Sequence, residues 1–168
     1  MYYGGMDAPQ TAQWGPCVWR FLHSMAEKVG KITDVRGQRQ RSDEEKRCWT
    51  NIIQFLQRAM PCPLCRQHFK EYVMRHNFAH IFTGEGRKDA LRSWLWDCHT
   101  NVRTSKGHPI DVTLDAVPAM YSTYTAAQFA ADRQIITDHL RRGMFQRWLI
   151  RDDMYGLLRC MEEMWRLS

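Results

Sequence analysis

The stretch AMPCPLCRQHF, Ala59–Phe69, sets how the rest of the chain is read. Pro61 cannot continue a helix, because its ring removes an N–H and clashes with the turn before it. Pro63 suits a first helical turn. One helix is therefore expected to end before Pro61 and another to start at Pro63, with Cys62 at or near its N-cap. Cys62 and Cys65 stand two residues apart, a spacing that could hold a metal, staple the fold or carry electrons.

Outward from this stretch, apolar residues recur at helical spacing and strand-like alternation is almost absent. Upstream, WGPCVWRFLHSMAEKVG is expected to be helical from Pro16 to Gly30, with Val18, Trp19, Leu22, Met25, Ala26 and Val29 as its apolar stripe. Trp19 and His23 share one face of it. Lys31 to Arg41 is expected to be a polar, mobile loop. Ser42 and Glu45 form a capping-box pattern for a second helix, which buries Cys48, Trp49, Ile52, Ile53, Leu56 and Ala59. Downstream of the cysteines, Phe69, Tyr72 and Val73 face inward. DALRSWLWDCHTNVR reads as a fourth helix, with Trp94 and Cys98 on one face and His99 beside them. Past Pro109 two more amphipathic helices follow, one capped by Thr125 and one starting at Arg151. The expectation is an all-α protein of about five or six helices.

At 168 residues the chain suits a single domain with a core of its own, so it need not depend on disulfides to fold. The net charge of +6 comes from scattered basic residues without a nucleic-acid recognition motif, so solvated faces are the expected role and no nucleic-acid partner is expected. MYYGGMDAPQ has neither a basic start nor an apolar run, so no signal peptide is expected. Nothing approaches the roughly 18 apolar residues of a membrane span. A cytosol-like compartment is therefore expected, where disulfides are rare and usually catalytic or redox-sensing. Seven tryptophans is a high count, enough to fill a core or to wall a flat aromatic ligand.

A Cys62–Cys65 bridge closes a tiny loop and so stabilises little as a staple. A helix N-terminus presents free N–H groups and partial positive charge, which favours a reactive thiolate. Zinc is the rival reading, with Cys62, Cys65 and His68 as ligands and His76 or His80 as a fourth. No second ligand pair of clear spacing is visible, which favours redox chemistry over zinc. A zinc-binding helical adaptor stays as the alternative function, and a basic helical interaction protein as a further one. The acceptor for the electrons is not a Rossmann-bound dinucleotide, since no GxGxxG follows a strand. No thioredoxin-like βαβ pattern surrounds the cysteines. Trp19, His23, Trp94 and His99 are instead placed to form a slot for a flat ring system.

Three blocks in order give the chain a resemblance: WGPCVWRFLHSMA (Trp14–Ala26), PCPLC followed by RQHF, and WLWDCHTNVRTSKGHP (Trp94–Pro109). Together they resemble the FAD-linked sulfhydryl oxidases of the Erv/ALR type, especially the compact versions encoded by large cytoplasmic DNA viruses. Thr100 and Arg103 stand where the family usually has Asn, His108 where it has Lys, and Lys28 where cellular members often have Tyr. The resemblance implies a four-helix-bundle core over residues 14–109 with FAD at its mouth. Residues 110–168 would be a C-terminal helical extension, open to core completion, dimerisation or substrate docking. It implies catalytic Cys62 and Cys65, with Cys62 as the outer, interchange cysteine and Cys65 facing the flavin as the charge-transfer thiolate. FAD contacts would come from Trp14, Gly15, Trp19, His23, Trp94, Cys98, His99, Val102 and Arg103, with no metal. The reaction implied is oxidation of thiols in protein substrates to disulfides, with O2 accepting the electrons to give H2O2. A homodimer is implied, as is a setting in the cytoplasm of an infected host cell or in a virion. Cys17, Cys48 and Cys98 are read as core residues, and Cys17 and Cys98 as possible pocket lining. Cys160 is a candidate electron shuttle whose plainer reading is a buried free cysteine.

Overall fold

The computed structural model describes residues 9–31 and 35–168. The reading of the first ten residues thus lies mostly outside the described part, as do residues 32–34 of the expected loop. Among the described residues the chain is all helical, with α1 (Thr11–Ala26), α2 (Val35–Ala59), α3 (Pro63–Arg75), α4 (Arg87–Ser105), α5 (Val117–Tyr121), α6 (Ala126–Phe145) and α7 (Arg151–Leu167). Short 3-10 turns lie at Ala79–Phe82 and Leu114–Ala116.

Two helices begin earlier than their local signals suggest, and both for tertiary reasons. α1 starts at Thr11, so Pro16 lies inside it. The ring costs a backbone hydrogen bond. Trp14 offsets this by burying its indole and donating from Nε1 to the Pro9 carbonyl at 2.7 Å, which winds the preceding turn into the helix. α2 runs from Val35, so most of the expected loop is helical and Ser42 sits within the helix rather than at its cap. Glu45 is buried and accepts from the Gly30 amide at 2.9 Å and from the Arg41 and Arg87 guanidiniums at 3.0 Å each. A buried carboxylate with three donors from different parts of the fold outweighs a local capping box. Gly30 itself turns the chain after α1 with φ +76, a conformation that favours glycine.

Elsewhere local signals hold. Cys62 caps α3, with its Sγ accepting from the Cys65 amide at 3.1 Å. Thr125 and Gln128 form a complete capping box on α6. α6 ends in a Schellman arrangement: the Trp148 amide donates to the Gly143 carbonyl at 2.8 Å and the Arg147 amide to the Met144 carbonyl at 3.0 Å. The short α5 has no counterpart in the sequence reading.

The helices pack as two linked layers. α1 lies against α4 and α6, α2 against α3 and α7, and α6 against α7. The last two helices are part of the core rather than an attachment to it. Phe129, Ile136, Leu140, Met154, Leu157 and Met161 are all buried in the same apolar cluster as Phe21, Leu22, Ile52 and Leu95. Each such side chain contributes roughly 1.5–3 kcal/mol. An ion pair also ties α1 to α6: the Arg20 guanidinium donates twice to the buried Asp132 carboxylate, at 2.7 and 2.5 Å. Among the described residues no helix is long and apolar enough to cross a membrane.

Candidate active site

α3 starts where Pro61 stops α2, and this break places the two cysteines at the mouth of the bundle. Cys62 and Cys65 are joined in a disulfide, with their Cα atoms 5.2 Å apart. In the first turn of α3 the Cys65 amide donates to Cys62 Sγ, the helix-terminus setting that favours a cysteine thiolate in general. Exposure runs against the expected order. Cys62, read as the outer sulfur, is only 4% exposed, while Cys65 is half-buried and lines a cavity.

That cavity holds about 450 Å³ between α1, α3 and α4. Its wall is largely apolar, with Trp14, Val18, Leu22, Leu56, Met60 and Phe69 around Cys65. A second cavity of about 550 Å³ lies between α1, α4 and the segment from α5 into α6. Its rim carries Arg20, Arg103 and Lys106, with Arg20 paired to Asp132 and Arg103 to Asp111 at 3.0 Å, and His108 beside them. Thr11, Gly15, Trp19, Val102 and Lys106 line both, so the two form neighbouring halves of one cleft.

A ladder of rings backs this cleft. Trp19 stacks on His99 with centroids 4.2 Å apart, and His23 stacks on Tyr121 at 4.7 Å. His23 Nε2 and His99 Nδ1 share a hydrogen bond of 3.2 Å. Burial pushes His23 down to about 3, with the neighbouring His99 adding to the effect. Burial, and then the charge of Arg103, pushes His99 down to about 4. Both rings are therefore neutral near pH 7.

The family model for the Erv1 / Alr family matches residues 16–121, which is more than half of the chain and includes the dithiol, the ring ladder and most of both cavity walls. The chain belongs to the Erv1/Alr family. Its members are FAD-linked sulfhydryl oxidases, so thiol oxidation is the chemistry the family assigns. No curated protein and no solved structure matches the chain. The family segment ends at Tyr121, so α6 and α7 lie beyond it.

The residues present fit an FAD. A Cβ built on Gly15 would meet nothing within 4 Å, so α1 offers bare backbone to both halves of the cleft. The Ser24 hydroxyl lines the larger half and is buried without a partner among the described residues, as is His23 Nδ1. An apolar half beside a cysteine suits a flat ring system, and a cation-rimmed half suits a diphosphate.

Of the residues singled out from the sequence, Cys65, Trp14, Gly15, Trp19, His99, Val102 and Arg103 face the cleft. His23, Trp94 and Cys98 line neither half and stand behind its wall. Trp94 donates to the His76 carbonyl at 3.1 Å and packs edge-on to Tyr72 and Phe78, so it holds α3 in place. His68 is an exposed residue on the rim of the smaller half. Among the described residues no three or more of His, Cys, Asp and Glu are gathered as metal ligands, so the zinc reading's Cys62, Cys65 and His68 do not form such a group.

The four remaining cysteines are free and buried. Burial pushes the Cys17 and Cys160 thiols up to about 11, and moves Cys48 and Cys98 in the same direction. Cys160 is thus a core thiol in this state. Sequence reasoning missed Arg20, Asn101, Lys106, Tyr121 and Tyr124. Asn101 and Lys106 lay inside a quoted block, and both line the cleft. Tyr121 and Tyr124 carried no signal, because they come from the segment after Pro109.

Proposed function

We propose that this protein forms disulfide bonds in thiol-bearing protein substrates, with Cys62 and Cys65 as the exchanging pair and FAD bound across the double cleft. The observation that carries this reading is the opening of Cys65 onto the apolar half of a cleft whose other half is rimmed with cations.

Exchange proceeds by thiolate attack. A substrate thiolate attacks Cys62 Sγ, the Cys62–Cys65 bond breaks, and Cys65 leaves as a thiolate facing the cleft. A second substrate thiolate then attacks the substrate sulfur of the mixed disulfide, and Cys62 leaves under the stabilising amides of α3. One substrate disulfide and one reduced Cys62/Cys65 pair result. When bound, FAD supplies the acceptor for those two electrons and the route to O2, with H2O2 as product. Trp14, Gly15, Trp19 and Val102 would hold the flat part of the cofactor. Arg103 and Lys106 would hold its phosphates, with His99 between the two halves. His23, Trp94 and Cys98 act from behind by fixing His99, α3 and α4.

A homodimer working in the cytoplasm of an infected cell or in a virion is the setting that accompanies this reading, and it rests on the resemblance alone. The purified protein should be yellow and release about one FAD per chain on denaturation. A colourless protein carrying stoichiometric zinc would overturn the reading in favour of the adaptor.

A further inference from the structure

Cys62 has the chemistry of an exchanging sulfur but not the exposure of one, and its cover has an identifiable source. The corner between α6 and α7, residues 143–150, comes back to the junction of α2 and α3, touching it at Pro61 and Arg66. Gly143 comes so close that a Cβ there would stand 3.5 Å from Pro61 Cα and 2.8 Å from Leu149 Cδ2. Leu149 is itself buried, at 6% exposure. On the other side of Cys62, the Arg66 guanidinium donates to the Trp148 carbonyl of the corner and to the Arg58 carbonyl of α2, the latter at 2.7 Å. Pro61 and Arg66 stand one residue before and four residues after Cys62, so the corner is fastened at two points on either side of it in sequence.

The clasp holds a shape that the corner does not favour by itself. Arg147 sits in the left-handed region at φ +59, at the Schellman position where glycine is usual. A side chain there costs about 1 kcal/mol. The corner also lies beyond the family segment, which ends at Tyr121. The corner therefore comes from outside the segment that carries the dithiol.

We propose that the α6–α7 corner is a substrate filter: it shields Cys62 until it is displaced, with Arg66 and Leu149 as the residues that set how readily it opens. The proposal rests on the exchange role given to Cys62 above. Small thiols reach the sulfur through brief openings, and bulky thiols only when the corner is displaced further.

The test is the alkylation rate of Cys62 in the reduced protein as isolated, mapped by peptide mass spectrometry. Two probes are used, iodoacetamide and a polyethylene-glycol maleimide. In the unmodified sequence Cys62 should react slowly, and far more slowly with the bulky probe. Arg66→Ala removes the bridge to Trp148, and Leu149→Ala removes a buried side chain of the corner beside Gly143 while leaving Arg66 in place. Each should speed Cys62 modification about tenfold, the change that losing one charge-assisted hydrogen bond or a comparable contact gives. The gain should be larger for the bulky probe. Arg66→Lys, which can reach only one of the two carbonyls, should fall between. The Cys65 rate and the visible spectrum should not change, whereas a general loosening of the fold would move both. The filter is overturned if Cys62 already reacts rapidly with the bulky probe in the unmodified sequence, or if both alanine variants leave its rate unchanged. A protein that lacks flavin and oxidase activity but shows the shielded Cys62 would instead break the functional reading and leave the shield standing.

Discussion

One side of this molecule keeps a space between its helices and the other does not. A cleft whose halves hold about 550 and 450 Å³ runs along α1 and α4, with α3 closing one half and the α5–α6 segment the other. Where α1, α2 and α7 meet, the void is only about 20 Å³. The four free cysteines, Cys48 and Cys160 on the packed side and Cys17 and Cys98 on helices that wall the cleft, are all buried, and burial raises their thiols. Cys62 and Cys65 stand instead at the start of α3, where Cys65 lines the cleft and its amide donates to Cys62 Sγ. Reactivity in this chain follows where the helices leave room and where they end, not how many cysteines there are.

Glycines give the sharpest way to break that comparison. Gly156 of α7 faces Phe55 of α2, and a Cβ there would stand 2.1 Å from the ring. Gly156→Ala should force the ring aside and destabilise the fold by about 1–3 kcal/mol, read as a lowered denaturation midpoint with an unchanged slope. Gly15→Ala is the counterpart on the open side, where the new methyl meets nothing. Its midpoint should hold or rise by up to about 1 kcal/mol, since alanine favours a helix interior. Flavin retention should fall instead, because the methyl enters the cleft. Equal midpoint losses in both variants would remove the distinction between the two sides.

Acid should act through the open side. His23 and His99 titrate far lower in the folded chain than the ordinary 6.5, at about 3 and about 4. Their folded pKa values are depressed, so the unfolded chain binds more protons between these values and 6.5. Their contribution is complete above pH 6.5 and is lost as pH falls through 4 and 3. His23→Phe should flatten the stability profile over that window. A profile that stays as steep would place the proton uptake elsewhere. The smallest effect is expected at the corner, where Arg147→Gly should stabilise the fold by about 1 kcal/mol by removing the left-handed cost.

The all-helical architecture was legible because the apolar spacing and the helix stops at Pro61 and Pro63 are local signals, and the family blocks gave the site's outline. What escaped reading depends on partners distant in sequence. Glu45 looked like a capping residue because Gly30 and Arg87 come to it only in the folded chain. The sequence position of Trp94 likewise cannot show its edge-on contacts with Tyr72 and Phe78. The burial of Cys62 was not legible, and nothing near Pro61 announces the return of Gly143 from the far end of the chain. Tyr121 and Tyr124 reach the cleft from a segment whose sequence carried no recognisable pattern.

The measurement that bears most directly on the open side is dithiothreitol-driven oxygen uptake by Cys65→Ser, with its flavin content determined on the same sample. The variant should keep its flavin, because the cleft is intact, and its uptake should fall to background. Uptake at the unmodified rate with flavin bound would contradict the role given to Cys65 at the cleft.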